Sequence, residues 1–183
     1  MKKNVFLIGL LTLIFTSCSS DDPAPVNEEE IITTMTVVLT ATGQNTVTLQ
    51  SRDLDGDGPD EPVITISGPL TTNTTYTGSI TLLNETVSPV EDITEEVEEE
   101  DEEHQFFYQT SGSVASTAYN DEDSNGNPVG LNFTLTTGGT GPGTIQITLR
   151  HEPNKSASGV ANGDITNADG ETDIAQLFNV FSQ

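Results

Sequence analysis

Basic residues are nearly missing from this 183-residue chain: five Lys plus Arg stand against 29 Asp plus Glu, a formal net charge of -24. A surface of that sign repels phosphate, which excludes a nucleic-acid binder. Cysteine occurs once, so an internal disulfide framework is excluded. Tryptophan is absent and aromatic residues make up 5%, which leaves little to stack on sugar rings. No apolar run reaches the roughly 20 residues that a membrane-spanning helix needs. The signatures G-x-S-x-G, G-x-x-x-x-G-K and H-E-x-x-H are also missing, so the expectation is a protein that is not an enzyme. Carboxylates are too abundant for a pair of them to argue for glycoside hydrolysis. The length fits about one domain. The 33% of hydrophobic residues fall in patterned runs that can build a core, which excludes full disorder.

What is present begins with an address. Lys2 and Lys3 precede an apolar stretch over 5–15, and Thr16-Ser17 then precede Cys18. A positive start, a short apolar run and small residues make 1–17 a secretion signal. Phe15-Thr16-Ser17-Cys18 resembles a bacterial lipoprotein signal, with Phe15 where an aliphatic residue is usual. The resemblance implies that Cys18 becomes an acylated N-terminus. Burial of acyl chains, at about 0.8 kcal/mol per CH₂, then anchors the chain stably to a membrane. Residues 18–30 are acidic, polar and Pro-bearing, and read as a disordered tether. Their composition resembles Bacteroidetes lipoproteins whose acids after the Cys direct export to the cell surface. The implied location is the outer membrane, lipid-anchored and surface-exposed.

Residues 31–183 read as a single domain made mostly of strands. Met35, Val37, Leu39 and Ala41 alternate with Thr36, Val38 and Thr40, and Val47 and Leu49 alternate with Thr46, Thr48 and Gln50. Gly43 lies between these runs, which makes them a hairpin. Further strands are expected over 63–67, 76–82, 105–110, 114–120, 131–137, 144–150 and 174–181. Strict alternation over 131–135 and 145–149 means one buried and one wet face, with the Gly-rich 138–143 as their connecting loop. Eight or nine short strands with turn signals predict an all-β antiparallel sandwich. One short acidic helix is expected over 89–102: Ser88, Pro89 and Glu91 match a capping box, and Val90, Ile93 and Val97 follow at helical spacing. Its second half, Glu98 to Glu103, carries like charges that also oppose the helix dipole, so that end should fray.

Three kinds of candidate site follow. Asp53, Asp55 and Asp57, with Gly58 next, place oxygen ligands at i, i+2 and i+4 like the opening of a Ca²⁺ loop. Asp121, Asp123 and Asn125, then Gly126, repeat the pattern. Both loops lack the bidentate Glu at position 12, where Ile64 and Asn132 stand, and both also suit Asp-Gly turns between strands. A looser set, Asp164, Asn167, Asp169, Glu171 and Asp173, reads as a solvated loop. The run from Glu95 to Glu103 reads as a charged, solvated face. His104 and His151 are the only histidines. With carboxylates they make candidate Zn²⁺ ligands, but their distance in sequence argues against a shared ion. Arg150, beside His151 and near Lys155, is a candidate contact for an anionic group, with local ion pairing as the plainer alternative.

Several segments together carry a wider resemblance: Glu28-Glu29-Glu30-Ile31-Ile32, Asp53 to Gly58, Asn73-Thr74-Thr75-Tyr76, Glu102-Glu103-His104-Gln105 and Leu149-Arg150-His151-Glu152-Pro153. The mature chain is similar over nearly its whole length to small Bacteroidetes lipoproteins labelled type 1 periplasmic binding fold superfamily proteins. That label implies small-ligand binding, whereas the strand pattern implies an antiparallel fold. The functional expectation is a surface-anchored lipoprotein that binds a cation or another ligand as an accessory to outer-membrane uptake. Its partners would be the membrane, an outer-membrane transporter or a cationic ligand. The alternative is a structural or adhesive surface module with no small ligand.

Overall fold

The computed structural model describes residues 30–56 and 58–183; the expected secretion signal, Cys18, the expected tether through residue 29 and Asp57 lie outside the described residues. The β-branched alternation folds as expected, into antiparallel strands. They are β1 (Thr34–Thr40), β2 (Val47–Arg52), β3 (Val63–Ile66), β4 (Thr75–Asn84), β5 (Glu91–Asp92), β6 (His104–Gly112), β7 (Val114–Tyr119), β8 (Asn132–Thr137), β9 (Gly141–His151) and β10 (Glu171–Ser182). One α-helix, α1, covers Ile93–Glu99. The first sheet runs in the order β3-β2-β1-β4-β8-β7, with β5 also paired to β4. The second runs β10-β9-β6.

The two sheets pack as a sandwich because each contributes one apolar parity. Met35, Val37 and Leu39 of β1, Val47 and Leu49 of β2, and Ile80 and Leu82 of β4 face Phe106, Ile145, Ile147, Leu149, Phe178 and Val180 of the second sheet in one continuous core. Each such side chain contributes about 1.5–3 kcal/mol relative to exposure. The opposite parity of the second sheet is covered too. Phe107 packs there with Val160 and Ala168 from the connection between β9 and β10, which carries two short 3-10 turns, Val160–Asn162 and Ile165–Asn167.

Three details differ from expectation. The helix starts at Ile93, not at Pro89. Glu91 and Asp92 pair with Asn84 and Leu83 as the short β5, and Asp92, not Ser88, caps the helix by accepting from the Thr94 N–H at 3.0 Å. Ile93 and Val97 are buried, whereas Val90 is exposed, so the apolar spacing includes one residue too many. At the other end α1 stops at Glu99 with no basic residue in its last turn; the like charges beyond it shorten the helix, as expected. Second, β3 ends at Ile66, one residue short of the expected bound, and is a largely exposed edge strand. Third, the Gly-rich 138–143 connects β8 and β9 but is loop only in part, since β9 already begins at Gly141; the two strands belong to different sheets. Among the described residues no helix is long and apolar enough to cross a membrane.

One glycine is fixed by packing. Gly78 of β4 sits opposite Phe133 of β8, whose ring lies across it: a Cβ on Gly78 would stand 2.5 Å from Phe133 Cζ. The ring is held from behind by Tyr108, stacked at a centroid distance of 4.4 Å. Gly78→Ala should therefore lower stability by about 1–3 kcal/mol through overpacking, seen as a lower urea midpoint with an unchanged slope.

Candidate metal centre

Strand register brings the two histidines together. β6 and β9 pair antiparallel with His104 opposite His151, Phe106 opposite Leu149 and Tyr108 opposite Ile147. Phe106, Leu149 and Ile147 point into the core, and side chains two residues apart share a face. His104 and His151 therefore share the inner face at the sheet's end, with ring centroids 4.7 Å apart. β10 lies on the other side of β9. Thr172 stands opposite Arg150, but Ile174, not Asp173, stands opposite Leu149. Asp173 is the extra residue of a β-bulge, a feature that re-aims a side chain, and its side chain is 1% exposed. Glu30 arrives from the segment that leads into β1, and its side chain is 2% exposed.

These four side chains converge. His104 Nε2 lies 2.9 Å from Glu30 Oε1, and His151 Nδ1 lies 3.2 Å from Glu30 Oε2. Asp173 Oδ1 lies 3.9 Å from His151 Nδ1. One ligand atom from each of the four falls within 4.8 Å of every other. Their far sides are held as well: His104 Nδ1 is 3.1 Å from the Glu100 carbonyl oxygen, and His151 Nε2 is 3.9 Å from Glu103 Oε2. Asp173 Oδ2 is buried and has no hydrogen-bond partner among the described residues.

The charges respond to this crowding. Burial works against the Glu30 carboxylate, but hydrogen bonds from His104, the backbone and His151, with the His104 charge, hold it down to about 2. Burial also works against a protonated His104; the Glu30 hydrogen bond, the Glu100 carbonyl and the charges of Glu30 and Asp173 outweigh it and raise its pKa. Burial first, then the Glu30 charge, lifts Asp173 to about 7. Glu30, Asp173 and the His104 imidazole thus compete for protons in one dry space. Such a donor set suits a four-coordinate cation of borderline softness, because imidazole and carboxylate together favour first-row metals over Ca²⁺. Outside it lies a concave surface of about 370 Å³ lined by Glu91, Asp92, Glu95, Glu96, Glu99 and Glu100. Glu96 and Glu100 also cluster with Glu30, so the acidic run leads up to the centre and raises cation concentration near it.

The other expected ligands sit elsewhere. Asp53 Oδ1 accepts from the N–H groups of Asp55 and Gly56 at 3.2 and 3.0 Å, an Asx turn. Asp55 Oδ2 accepts from the Asp60 N–H at 3.3 Å. In the second loop Asp121 accepts from the N–H groups of Gly130 and Asn132, both at 2.6 Å. Asp123 accepts from the N–H groups of Asn125 and Asn127, both at 2.9 Å, and from Lys155 Nζ at 2.9 Å. The carboxylates of the second loop are therefore engaged by backbone and lysine, and the Asn125 side chain is exposed. In the looser third set Asp164 caps the second 3-10 turn through the Thr166 N–H at 2.9 Å, and of that set only Asp173 reaches the centre. Arg150 donates from Nη1 to Thr172 Oγ1 at 2.5 Å and has no ion pair among the described residues. Sequence reasoning left out Glu30 as a ligand and placed Asp173 only in the looser third set, for which a solvated loop is the preferred reading. Glu30 looks like the last acid of a tether, and the bulge that turns Asp173 inward has no glycine or proline to announce it.

Comparison with family models, with curated proteins and with solved structures finds no match to this chain.

The shifts fix the sign of the pH dependence of the metal-free fold. Glu30, held low, contributes stability that is present above its ordinary value of 4.5 and lost as pH falls toward about 2. His104, raised, contributes stability that is present below 6.5 and lost as pH rises through its folded value. Asp173 acts in the same direction: the folded state keeps a proton, so stability declines as pH rises from 3.8 through about 7. Asp173→Asn keeps the uncharged form at every pH. In chelator-treated protein it should leave the melting temperature unchanged near pH 4 and flatten the decline toward neutrality, measured by thermal denaturation across that range.

Proposed function

We propose that this protein is a lipid-anchored module of the outer-membrane surface that binds a divalent cation and is accessory to uptake. The observation that carries the cation reading is the convergence of Glu30, His104, His151 and Asp173 in a buried space, with one carboxylate oxygen left without a partner. A cation at the centre would give that oxygen a partner; without one, Asp173 keeps its proton and shares it with Glu30. The acidic concavity beside Glu30 supports the same reading, because it attracts cations of any kind to the centre. The anchor rests on Cys18 and the secretion signal before it. The role is binding rather than catalysis: the ligand side chains are closed in by the sandwich, and the chain carries none of the nucleophile or phosphate-cradle motifs searched for in its sequence.

Thermal denaturation of the purified mature protein with Ca²⁺, Mn²⁺ and Zn²⁺ in turn tests the reading. At least one cation should raise the melting temperature in a dose-dependent way; a concentration one hundred times Kd corresponds to about 2.7 kcal/mol. Melting temperatures that none of the three ions moves would refute it.

A further inference from the structure

Resting on the cation-binding reading, we propose that the centre is specific for a first-row transition-metal ion of the Zn²⁺ class, and that this ion fastens the segment leading into β1 onto the second sheet. The first half of the proposal rests on donor type and spacing. Ca²⁺ seeks six to eight oxygen ligands, whereas Zn²⁺ takes four from imidazole and carboxylate at about 2.0–2.2 Å. Tetrahedral bonds of that length hold ligand atoms about 3.3–3.6 Å apart. The separations of 2.9, 3.2 and 3.9 Å among His104 Nε2, His151 Nδ1 and the Glu30 and Asp173 oxygens lie on both sides of that spacing. The four ligand atoms all lie within 4.8 Å of one another, so the side chains would draw together to seat the ion.

The tautomers agree with this. The Glu100 carbonyl at 3.1 Å from His104 Nδ1 accepts only from a protonated nitrogen. In the neutral ring the Nε2 lone pair then points at the centre. Glu103 stands beside the outer nitrogen of His151 and favours the proton there, which frees Nδ1 for the metal. His104 thus has the outer partner that metal-bound imidazoles use to set their tautomer, while Glu103 lies 3.9 Å from His151 Nε2, near that role but not hydrogen-bonded. Asp173 Oδ1 faces His151 Nδ1, and of the three buried side-chain atoms without a hydrogen-bond partner among the described residues, Gln105 Oε1, Arg150 Nε and Asp173 Oδ2, only the last belongs to the centre. With the ion present, two carboxylates balance its two positive charges and neither histidine needs a proton.

The second half rests on where the ligands originate. His104, His151 and Asp173 belong to β6, β9 and β10 of one sheet, while Glu30 precedes β1 of the other. Just after Glu30 the backbone is committed to the first sheet: Thr33 donates from its N–H to the Leu83 carbonyl at 2.9 Å and from Oγ1 to the same carbonyl at 3.0 Å. An ion held by all four side chains therefore ties the two sheets together at the edge where the chain enters the domain.

The test uses the purified mature protein with Zn²⁺, Co²⁺ and Ca²⁺ as probes. One equivalent of Co²⁺ should give the intense visible absorption of four-coordinate cobalt, and Zn²⁺ should abolish it. Zn²⁺ should shift the ring resonances of His104 and His151 and slow amide exchange over 31–34. Asp173→Asn and Glu30→Gln, both close in shape to the native residues, should each weaken Zn²⁺ binding more than the roughly 10–100-fold typical of losing an outer partner. Glu103→Gln should fall within that range. The wild-type cobalt spectrum and ring resonances stand even where a variant folds poorly. Ca²⁺ binding that Glu30→Gln and Asp173→Asn weaken, with no Zn²⁺ effect on the rings, would overturn this inference and leave the cation-binding reading intact; Ca²⁺ binding that these variants leave unchanged would overturn both. Zn²⁺ binding without slower exchange over 31–34 would overturn the fastening. No binding of any ion would overturn both.

Discussion

The antiparallel ladder between β6 and β9 decides which residues meet at the working end of this protein. Each of its pairs carries a consequence. Phe106 with Leu149 supplies core, while the neighbouring parity sends Phe107 to the outer side, where Val160 and Ala168 cover it. Because side chains alternate strictly, a slip of one residue would exchange the two faces. It would turn the histidines outward and push Gln105 and Arg150 into the core. The large apolar residues on the inner parity make that slip prohibitive, so hydrophobic packing at the middle of the ladder holds the polar cluster at its end.

Scarcity of positive charge shapes the rest. Besides Lys2 and Lys3, the chain's basic residues are Arg52, Arg150 and Lys155. Arg52 grips Glu85 through two hydrogen bonds of 2.8 and 2.7 Å, near the turn after β4. Lys155 is buried and joins Asp123 to the carbonyl of Asp101, which ties the 121–130 loop and the turn after α1 to the β9–β10 connection. Burial works against the Asp123 charge, but the Asn127 amide and Lys155 outweigh it and hold its pKa low. Two of three cations thus serve as structural pins. The carboxylates around the histidines have no arginine or lysine ion pair among the described residues. That leaves protons or a metal ion to balance them.

Much of the fold is legible in the sequence because its signals are local. Alternation in 35–41, 131–135 and 145–149 follows from one wet and one dry face, and nine expected strands appear where the pattern puts them. The tenth, β5, is two residues of acid whose pairing depends on β4 alone, so no periodicity marks it. The helix start is misread because Ser88-Pro89 imitates a cap, while the true cap, Asp92, sits inside the expected helix. The centre is legible only in part. His104 and His151 stand out as the sole histidines, but that they face each other is a property of register between strands distant in sequence. Glu30 and Asp173 are less visible still, one hidden in an acidic run and one turned inward by a bulge.

The chain passes between the sheets more than once. After β1–β5 build most of the first sheet, β6 opens the second; β7 and β8 then return to complete the first, and β9 and β10 finish the second. Neither sheet can close before nearly the whole chain is available, since β8 must find β4 and β9 must find β6 across long intervening segments. Such non-local pairing belongs to folds that form in milliseconds to seconds rather than microseconds. It also makes the domain an all-or-none object: removing the last strands would strip β9 of one neighbour and expose the apolar faces of both layers at once.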